Sequence, residues 1–324
     1  MQGRMREFWF FLTNVMTTRR QNGYKVQPLH RVGFYLAARP IHNQLEVMHV
    51  VPISPWPFIT ATSIMFLLLS ILNFFRYVPF SSYFIFISLV LFILALLLWS
   101  SDVVLESVEL KMHTLLMQRS FSFAIILFIV SEVMFFFSFF WAFFHYSLSP
   151  SIFIYGIWPP IGISVISPWA MPLLNTAILL TSGVSLTVAH RAFMFQGLWR
   201  YENGIRKSVR PNQPYRVMRY LFLTIILGFF FTVCQLFEYM NCSFSINDSV
   251  YGSVFFLTTG FHGLHVIVGT IFLVIALYRF CYKHFGHSSI ISRYQIGLDL
   301  AIWYWHFVDV VWLFLFVAVY WWGS

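Results

Sequence analysis

Several polar side chains fall inside long apolar runs of this sequence, where a charge is costly. They include Glu132, His190, Glu238, His262, His265, His306 and Asp309. Glu132 is central to the run FSFAIILFIVSEVMFFFSFFWAFF at residues 121–144. Because a helix rises about 1.5 Å per residue and the hydrocarbon core is roughly 30 Å thick, Glu132 should lie near mid-membrane. Either its protonated carboxyl holds helices together through hydrogen bonds, or it takes part in proton or ligand handling.

The remaining polar residues include two pairs with helical spacing. His262 and His265 are three apart in FHGLH, and His306 and Asp309 are three apart in WHFVD, so each pair shares a helix face. One interpretation is haem or copper ligation, although a bis-histidine haem needs ligands from two helices at equal depth. The other is a network of interhelical hydrogen bonds, with His262, His265 or His306 as the basic partner of Glu132. The members of this predicted intramembrane network are Glu238, His262, His265, His306 and Asp309.

Composition places the chain in a membrane. Hydrophobic residues make up 59% and charged residues only 10%, whereas soluble domains carry about a quarter charged residues. The net charge of +9 comes from bases between the apolar runs, which indicates membrane orientation and lipid headgroups rather than nucleic acid. HExxH, nucleotide-loop and nucleophile-elbow motifs are absent from the sequence, and the three cysteines lack metal-ligand spacing. We therefore predict no catalytic residues, and haem or copper ligation stays the less favoured interpretation of the histidines.

The apolar runs predict seven transmembrane helices and an all-α fold. Continuous runs of this length exclude a membrane β-barrel, whose strands alternate in polarity. The third and sixth runs exceed about 20 residues and should tilt or project beyond the bilayer. The predicted spans are 58–76, 82–105, 116–145, 172–194, 217–240, 251–281 and 298–321.

The distribution of basic residues predicts the orientation. All lysines and arginines except Arg76 fall in regions that seven alternating spans place on one side. The N-terminus should therefore face the cytoplasm or the mitochondrial matrix, and the C-terminus the opposite side. We read residues 1–53 as a basic N-terminal extension, and residues 195–215 as a solvated loop or, alternatively, a docking site.

Several stretches closely resemble one family. The sequences at residues 128–150, 158–163, 172–190, 250–273 and 301–324, such as WPPIGI and AIWYWHFVDVVWLFLFVAVYWWGS, resemble subunit III of mitochondrial cytochrome c oxidase. The resemblance covers about residues 54–324. It implies an all-α membrane protein of seven transmembrane helices in two bundles, helices 1–2 (about 54–112) and helices 3–7 (about 113–324). A V-shaped cleft between the bundles would hold phospholipids.

The resemblance also implies a function. It indicates a non-catalytic core subunit of respiratory complex IV, a proton-translocating oxidoreductase, in the mitochondrial inner membrane, with its N-terminus in the matrix and its C-terminus in the intermembrane space. Haem a and copper would be in partner subunits, the main partner being the catalytic subunit I, with other complex IV subunits and a respiratory supercomplex as further associations. The subunit would support assembly, proton uptake and sustained oxygen reduction coupled to proton pumping.

The family's functional positions can be matched to this sequence. Its membrane-buried glutamate matches Glu132, and its lipid-headgroup residues match Glu106, His113 and Arg279. A transporter is the first alternative, but it would require broken helices in matching positions, and the sequence shows no such mid-span breaks. A redox enzyme, the second alternative, would require paired axial histidines. We therefore expect a subunit that binds phospholipids and has no redox centre of its own.

Overall fold

The computed structural model describes residues 53–108, 113–195, 199–202, 205–208, 213–281 and 296–323. The predicted N-terminal extension, residues 1–53, lies outside the described residues except for Ile53. Within the described ranges, seven helices are long and apolar enough to cross a membrane. They are α1 (Trp56–Phe75), α2 (Ser81–Val108), α3 (Leu115–Leu148), α4 (Met171–Phe195), α5 (Gln213–Met240), α6 (Ser249–Cys281) and α7 (Ile296–Leu315), the last continuing as a π-helical segment, Phe316–Trp321.

These helices confirm the predicted all-α, seven-span fold. The first residue of each helix lies within four residues of the prediction, and the ends of α5 and α6, Met240 and Cys281, coincide with it. At the start of α3, the Thr114 hydroxyl accepts a hydrogen bond from the Met117 amide at 3.4 Å, which satisfies a free N–H of the first turn. At the start of α1, Pro57 lies in the first turn, where a missing N–H costs nothing.

The loop predicted at residues 195–215 contains regular structure that the sequence analysis did not anticipate. Two short strands, β1 (Trp199–Glu202) and β2 (Ile205–Ser208), pair antiparallel, with Trp199 opposite Ser208. The remaining residues of this loop between α4 and α5 lie outside the described ranges. The loop is therefore in part a β-hairpin.

Helix α7 forms the centre of the packing. In its most apolar stretch 61% of the residues are buried, against 6% in α3 and 11% in α2. It contacts α3, α4 and α6, and the indole N–H groups of Trp305 and Trp312 donate to the α4 hydroxyls of Ser182 and Thr176 at 3.0 and 2.9 Å. These cross-links fix the rotation of α7, and so determine which of its residues face each neighbour.

The outer helices contact fewer neighbours. Helices α1 and α2 pack against each other, and the Trp56 indole N–H donates to the Asp102 carboxylate at 2.6 Å across their interface. Helix α3 packs against α6 and α7. The contact between α1 and α2 is consistent with a separate two-helix bundle. The division of the fold into bundles of helices 1–2 and 3–7 stays a prediction.

Candidate functional site

The Glu132 carboxyl meets a histidine near the middle of the membrane spans. Glu132 lies near the midpoint of α3 and His265 near the midpoint of α6. Glu132 Oε2 is 2.8 Å from His265 Nε2, and the side chains are 21% and 12% exposed. The second ring nitrogen, His265 Nδ1, lies 2.7 Å from the Phe261 carbonyl oxygen one turn earlier in α6. Both ring nitrogens are thus engaged.

These contacts determine the number of protons that the pair holds. A carbonyl oxygen only accepts, so His265 Nδ1 must carry a hydrogen and donate to Phe261. His265 Nε2 then either accepts from a protonated Glu132 or, as part of an imidazolium, donates to the carboxylate. Both forms have the same proton count and zero net charge, which avoids an unpaired charge at low dielectric. The pair can therefore move a proton between its two residues without changing its charge.

Aromatic rings hold the His265 side chain in place. The ring of Tyr304 from α7 stacks on it with centroids 6.3 Å apart, and Phe136 from α3 meets it edge-on at 5.0 Å. Phe307 makes a third ring contact at 6.4 Å. Because Tyr304 and Phe136 are themselves 2% exposed, the imidazole is confined to one orientation toward Glu132.

The other two histidines that the sequence offered as partners of Glu132 have different contacts. His262, 1% exposed, donates from Nε2 to the Val308 carbonyl oxygen of α7 at 3.2 Å. His306 places its Nδ1 3.7 Å from the Asp309 carboxylate on the same helix. Of the three candidates, the structure therefore brings His265 to Glu132.

The His306–Asp309 pair lies where α7 passes α4. A Cβ built on Gly183 of α4 would lie 2.7 Å from Asp309 Oδ2, so only a glycine leaves room for this carboxylate. The His306 side chain is 41% exposed and that of Asp309 10%. The pair shares the depth of Glu132 but lies at a different interface.

Glu238 belongs to a separate buried chain of hydrogen bonds near the ends of α5 and α7. The hydroxyl of Tyr320 and the amide of Gln235 both donate to Glu238 Oε1, at 2.7 and 3.3 Å. The amide of Asn175 on α4 donates to Gln235 Oε1 at 3.3 Å. The predicted network is thus divided, because Glu238 bonds with this group and the histidines bond elsewhere.

Some residues in these contacts were not predicted from the sequence. Asn175, Gln235 and Tyr320 are uncharged, so they do not stand out within apolar runs as a carboxylate does. The three-residue spacing of Gln235 and Glu238 in QLFE was a usable signal, because it places both on one helix face. Asp299 was also missed; its Oδ1 lies 3.2 Å from His190 Nε2, joining the end of α4 to the start of α7.

The three residues predicted to bind a lipid headgroup lie at element ends that the helix order places on one side. Glu106 is in the last turn of α2, His113 precedes α3, and Arg279 is in the last turn of α6. The His113 ring packs edge-on against Phe121 with centroids 5.2 Å apart. A Cβ on Gly297 would lie 2.6 Å from Arg279 Nη1, so the guanidinium rests on the first turn of α7. All three are near one end of the helices.

The helices and the polar pairs between them define the class of this protein. Within the described ranges, no three His, Cys, Asp or Glu side chains come together as candidate metal ligands. Seven membrane-length helices with polar pairs enclosed among them are typical of a polytopic integral membrane protein.

Comparison with known proteins identifies the family. The family model described as cytochrome c oxidase subunit III matches residues 46–324. The chain is 45% identical over 282 residues to cytochrome c oxidase subunit 3 of Pelomedusa subrufa, which covers 87% of this chain and 99% of that protein. The proteins of the same name from Latimeria chalumnae and Rattus norvegicus are 43% and 44% identical with the same coverage. The chain belongs to the cytochrome c oxidase subunit III family.

Proposed function

We propose that this chain is a non-catalytic core subunit of cytochrome c oxidase, respiratory complex IV, in the mitochondrial inner membrane. It would assemble with the catalytic subunit I and other subunits, in which haem a and copper are bound, and with respiratory supercomplexes. Its role would be to stabilise the catalytic subunit and to support proton uptake during oxygen reduction coupled to proton pumping. Family membership and the seven apolar helices support this proposal.

The observation that carries the proposal is the contact between Glu132 and His265. A carboxyl and an imidazole joined at 2.8 Å can pass a proton between them while the pair stays neutral, at a cost far below that of an isolated charge in the membrane. The pair would affect the turnover lifetime and the pH dependence of the partner subunit, and it would take no part in the chemistry of oxygen reduction.

We also propose that the chain binds phospholipids. Glu106, His113 and Arg279 would bind headgroups at the matrix end of a cleft between helices 1–2 and helices 3–7. An arginine near a phosphate forms a charge-assisted hydrogen bond, and a low-dielectric edge strengthens it. This placement rests on the basic-residue orientation, with the N-terminus in the matrix and the C-terminus in the intermembrane space. A structure with resolved lipids in which Arg279 has no phosphate within hydrogen-bonding distance would refute the lipid site.

The test of the proton role is Glu132→Gln in the assembled oxidase. The amide keeps the shape and a hydrogen-bond donor for His265, but it cannot titrate. We expect normal assembly and haem content, together with fewer turnovers before inactivation or an altered dependence of turnover on matrix-side pH. Glu238→Gln is the matched control, since it removes a second buried carboxyl that lies outside this pair. Unchanged kinetics at every pH for Glu132→Gln would leave Glu132 with a structural role only.

A further inference from the structure

The segment that joins α3 to α4, residues 149–170, carries no Asp, Glu, Lys, Arg or His. It reads SPSIFIYGIWPPIGISVISPWA, so most of its residues are apolar or aromatic. The segment that joins α5 to α6, residues 241–248, reads NCSFSIND and ends on the charged Asp248. Connections that face water are normally polar. The composition of residues 149–170 is therefore unusual for a solvated loop.

A short turn in this segment projects apolar side chains away from the rest of the protein. Ile152, Phe153 and Tyr155 are 91%, 96% and 80% exposed. The Tyr155 amide donates to the Ile152 carbonyl oxygen at 3.0 Å, and the Gly156 amide donates to that of Ser151 at 3.1 Å. Tyr155 has a φ of 59°, which is uncommon for a bulky residue and needs surrounding contacts to hold it. The side chains are thus presented on a defined turn.

Trp158 fixes this turn to the helices. Its ring meets Phe143 of α3 edge-on with centroids 5.7 Å apart and lies 5.3 Å from the ring of Tyr251 in α6. Further along the segment, the Ser243 hydroxyl donates to the Ser164 carbonyl oxygen at 3.2 Å. The turn therefore has a fixed place beside the end of α3 and the start of α6.

The segment lies at the level of the lipid headgroups. Helix α4 has 25 residues and is about 38 Å long, less than the roughly 40–45 Å of a bilayer with its headgroup regions. Trp169 just before α4 and Trp322 just after the end of α7 are each at least half exposed, and tryptophan at the ends of spans is typical of the membrane–water interface. Trp322 also lies 5.4 Å from the Phe144 ring, close to where α3 ends. These tryptophans mark the interface on both sides of the segment.

We propose that the turn inserts Ile152, Phe153 and Tyr155 into the lipid leaflet that borders this end of the helices. The isoleucine and phenylalanine would enter the boundary of the acyl chains, and the Tyr155 hydroxyl would stay among the headgroups. This surface continues the exposed apolar surface of α3, in whose most apolar stretch only 6% of the residues are buried. Because the segment has no charge, the contact would depend neither on anionic lipid nor on salt. The inference rests on the membrane spans alone and is independent of the proposed function.

Fluorescence quenching in the purified complex that contains this chain tests the insertion. An environment-sensitive fluorophore is attached to Phe153→Cys in phosphatidylcholine vesicles, and the signal of the parent chain, treated in the same way, is subtracted. Because the Phe153 side chain is 96% exposed, its replacement leaves the packing of the helices intact. We expect a spin-labelled phospholipid to quench most of the emission and aqueous iodide to leave it unchanged.

Asn247→Cys is the matched control, since it is an exposed position in the polar segment 241–248 at the same end of the helices. There we expect iodide to quench the label and the spin-labelled phospholipid to have little effect. Quenching at position 153 by iodide would place the turn in water, and quenching by neither reagent would place it against another protein. Either result would overturn the proposal.

Lipid charge and salt provide a second test. We expect quenching at position 153 by the spin-labelled phospholipid to be the same with and without anionic phospholipid in the vesicles, and the same at low and high salt. Quenching that required anionic lipid, or that was lost at high salt, would contradict an apolar contact.

Discussion

Helices α5, α6 and α7 pack tightly around Trp305, so we predict that adding one methyl group at Gly269 lowers the stability of the fold. A Cβ added at Gly269 of α6 would lie 2.9 Å from Trp305 Cε3 and 3.3 Å from Tyr304 Cε1. The indole cannot retreat, because a Cβ on Gly228 of α5 would lie 2.5 Å from its Cη2. Its Nε1 is also held by the Ser182 hydroxyl at 3.0 Å. Gly269→Ala must therefore displace a fully buried ring.

The expected change in stability for Gly269→Ala is the sum of two opposing contributions. Overpacking a tight core costs about 1–3 kcal/mol, while replacing glycine by alanine in a helix gains up to about 1 kcal/mol. We expect Gly269→Ala to lose about 1–2 kcal/mol in stability, since the clash outweighs the gain. Gly263 on the same helix is the control: a Cβ there meets nothing within 4 Å, so Gly263→Ala should be neutral or stabilising.

Thermal unfolding of the detergent-solubilised oxidase measures the difference, followed as loss of this subunit on size-exclusion chromatography. We expect a lower midpoint for Gly269→Ala than for Gly263→Ala. The double variant Gly269→Ala/Trp305→Phe should recover part of the loss relative to Trp305→Phe alone, because the smaller ring leaves room for the methyl group. Equal midpoints for the two glycine variants would refute the proposed fit around Trp305.

Two further predictions concern other contacts. Trp312→Phe removes the indole donor to Thr176 and leaves a cavity in the core, so in the same thermal assay it should cost more than the about 1 kcal/mol of the hydrogen bond alone; an unchanged midpoint would contradict this. Burial raises the pKa of the Cys242 thiol, so less thiolate is present at neutral pH and maleimide should label it more slowly than the exposed Cys281. Equal labelling rates at neutral pH would contradict this.

The sequence predicted those features that depend on one helix at a time. Each span is a continuous apolar run, so seven helices and the position of Glu132 near the midpoint of its helix could be predicted from length and hydropathy. The two paired strands between α4 and α5 could not, because each is four residues long and only the first, WRYE at residues 199–202, alternates in polarity. The start of α3 is set by a cap, since the Thr114 hydroxyl just outside the helix accepts from the Met117 amide.

The pairing of side chains could not be predicted, because it depends on how the helices are rotated against one another. His262 and His265 share a helix face, yet only His265 reaches Glu132, while His262 bonds to the Val308 backbone. The rotation of α6 that separates them depends on contacts such as that of Gly269 with Trp305 of α7, between residues far apart in sequence. The position of a residue along its helix can therefore be predicted from the sequence, whereas its side-chain partners require the packed structure.

Removal of this chain from the intact oxidase tests the proposed function most directly. Mild detergent treatment should separate it from the partner subunits, after which the haem spectrum and the initial rate of oxygen reduction are compared with the intact complex. We expect both to stay with the remaining subunits, and we expect those subunits to lose activity sooner during continued turnover. Loss of the haem spectrum with this chain, or a turnover lifetime identical to that of the intact complex, would contradict a supporting, non-catalytic role.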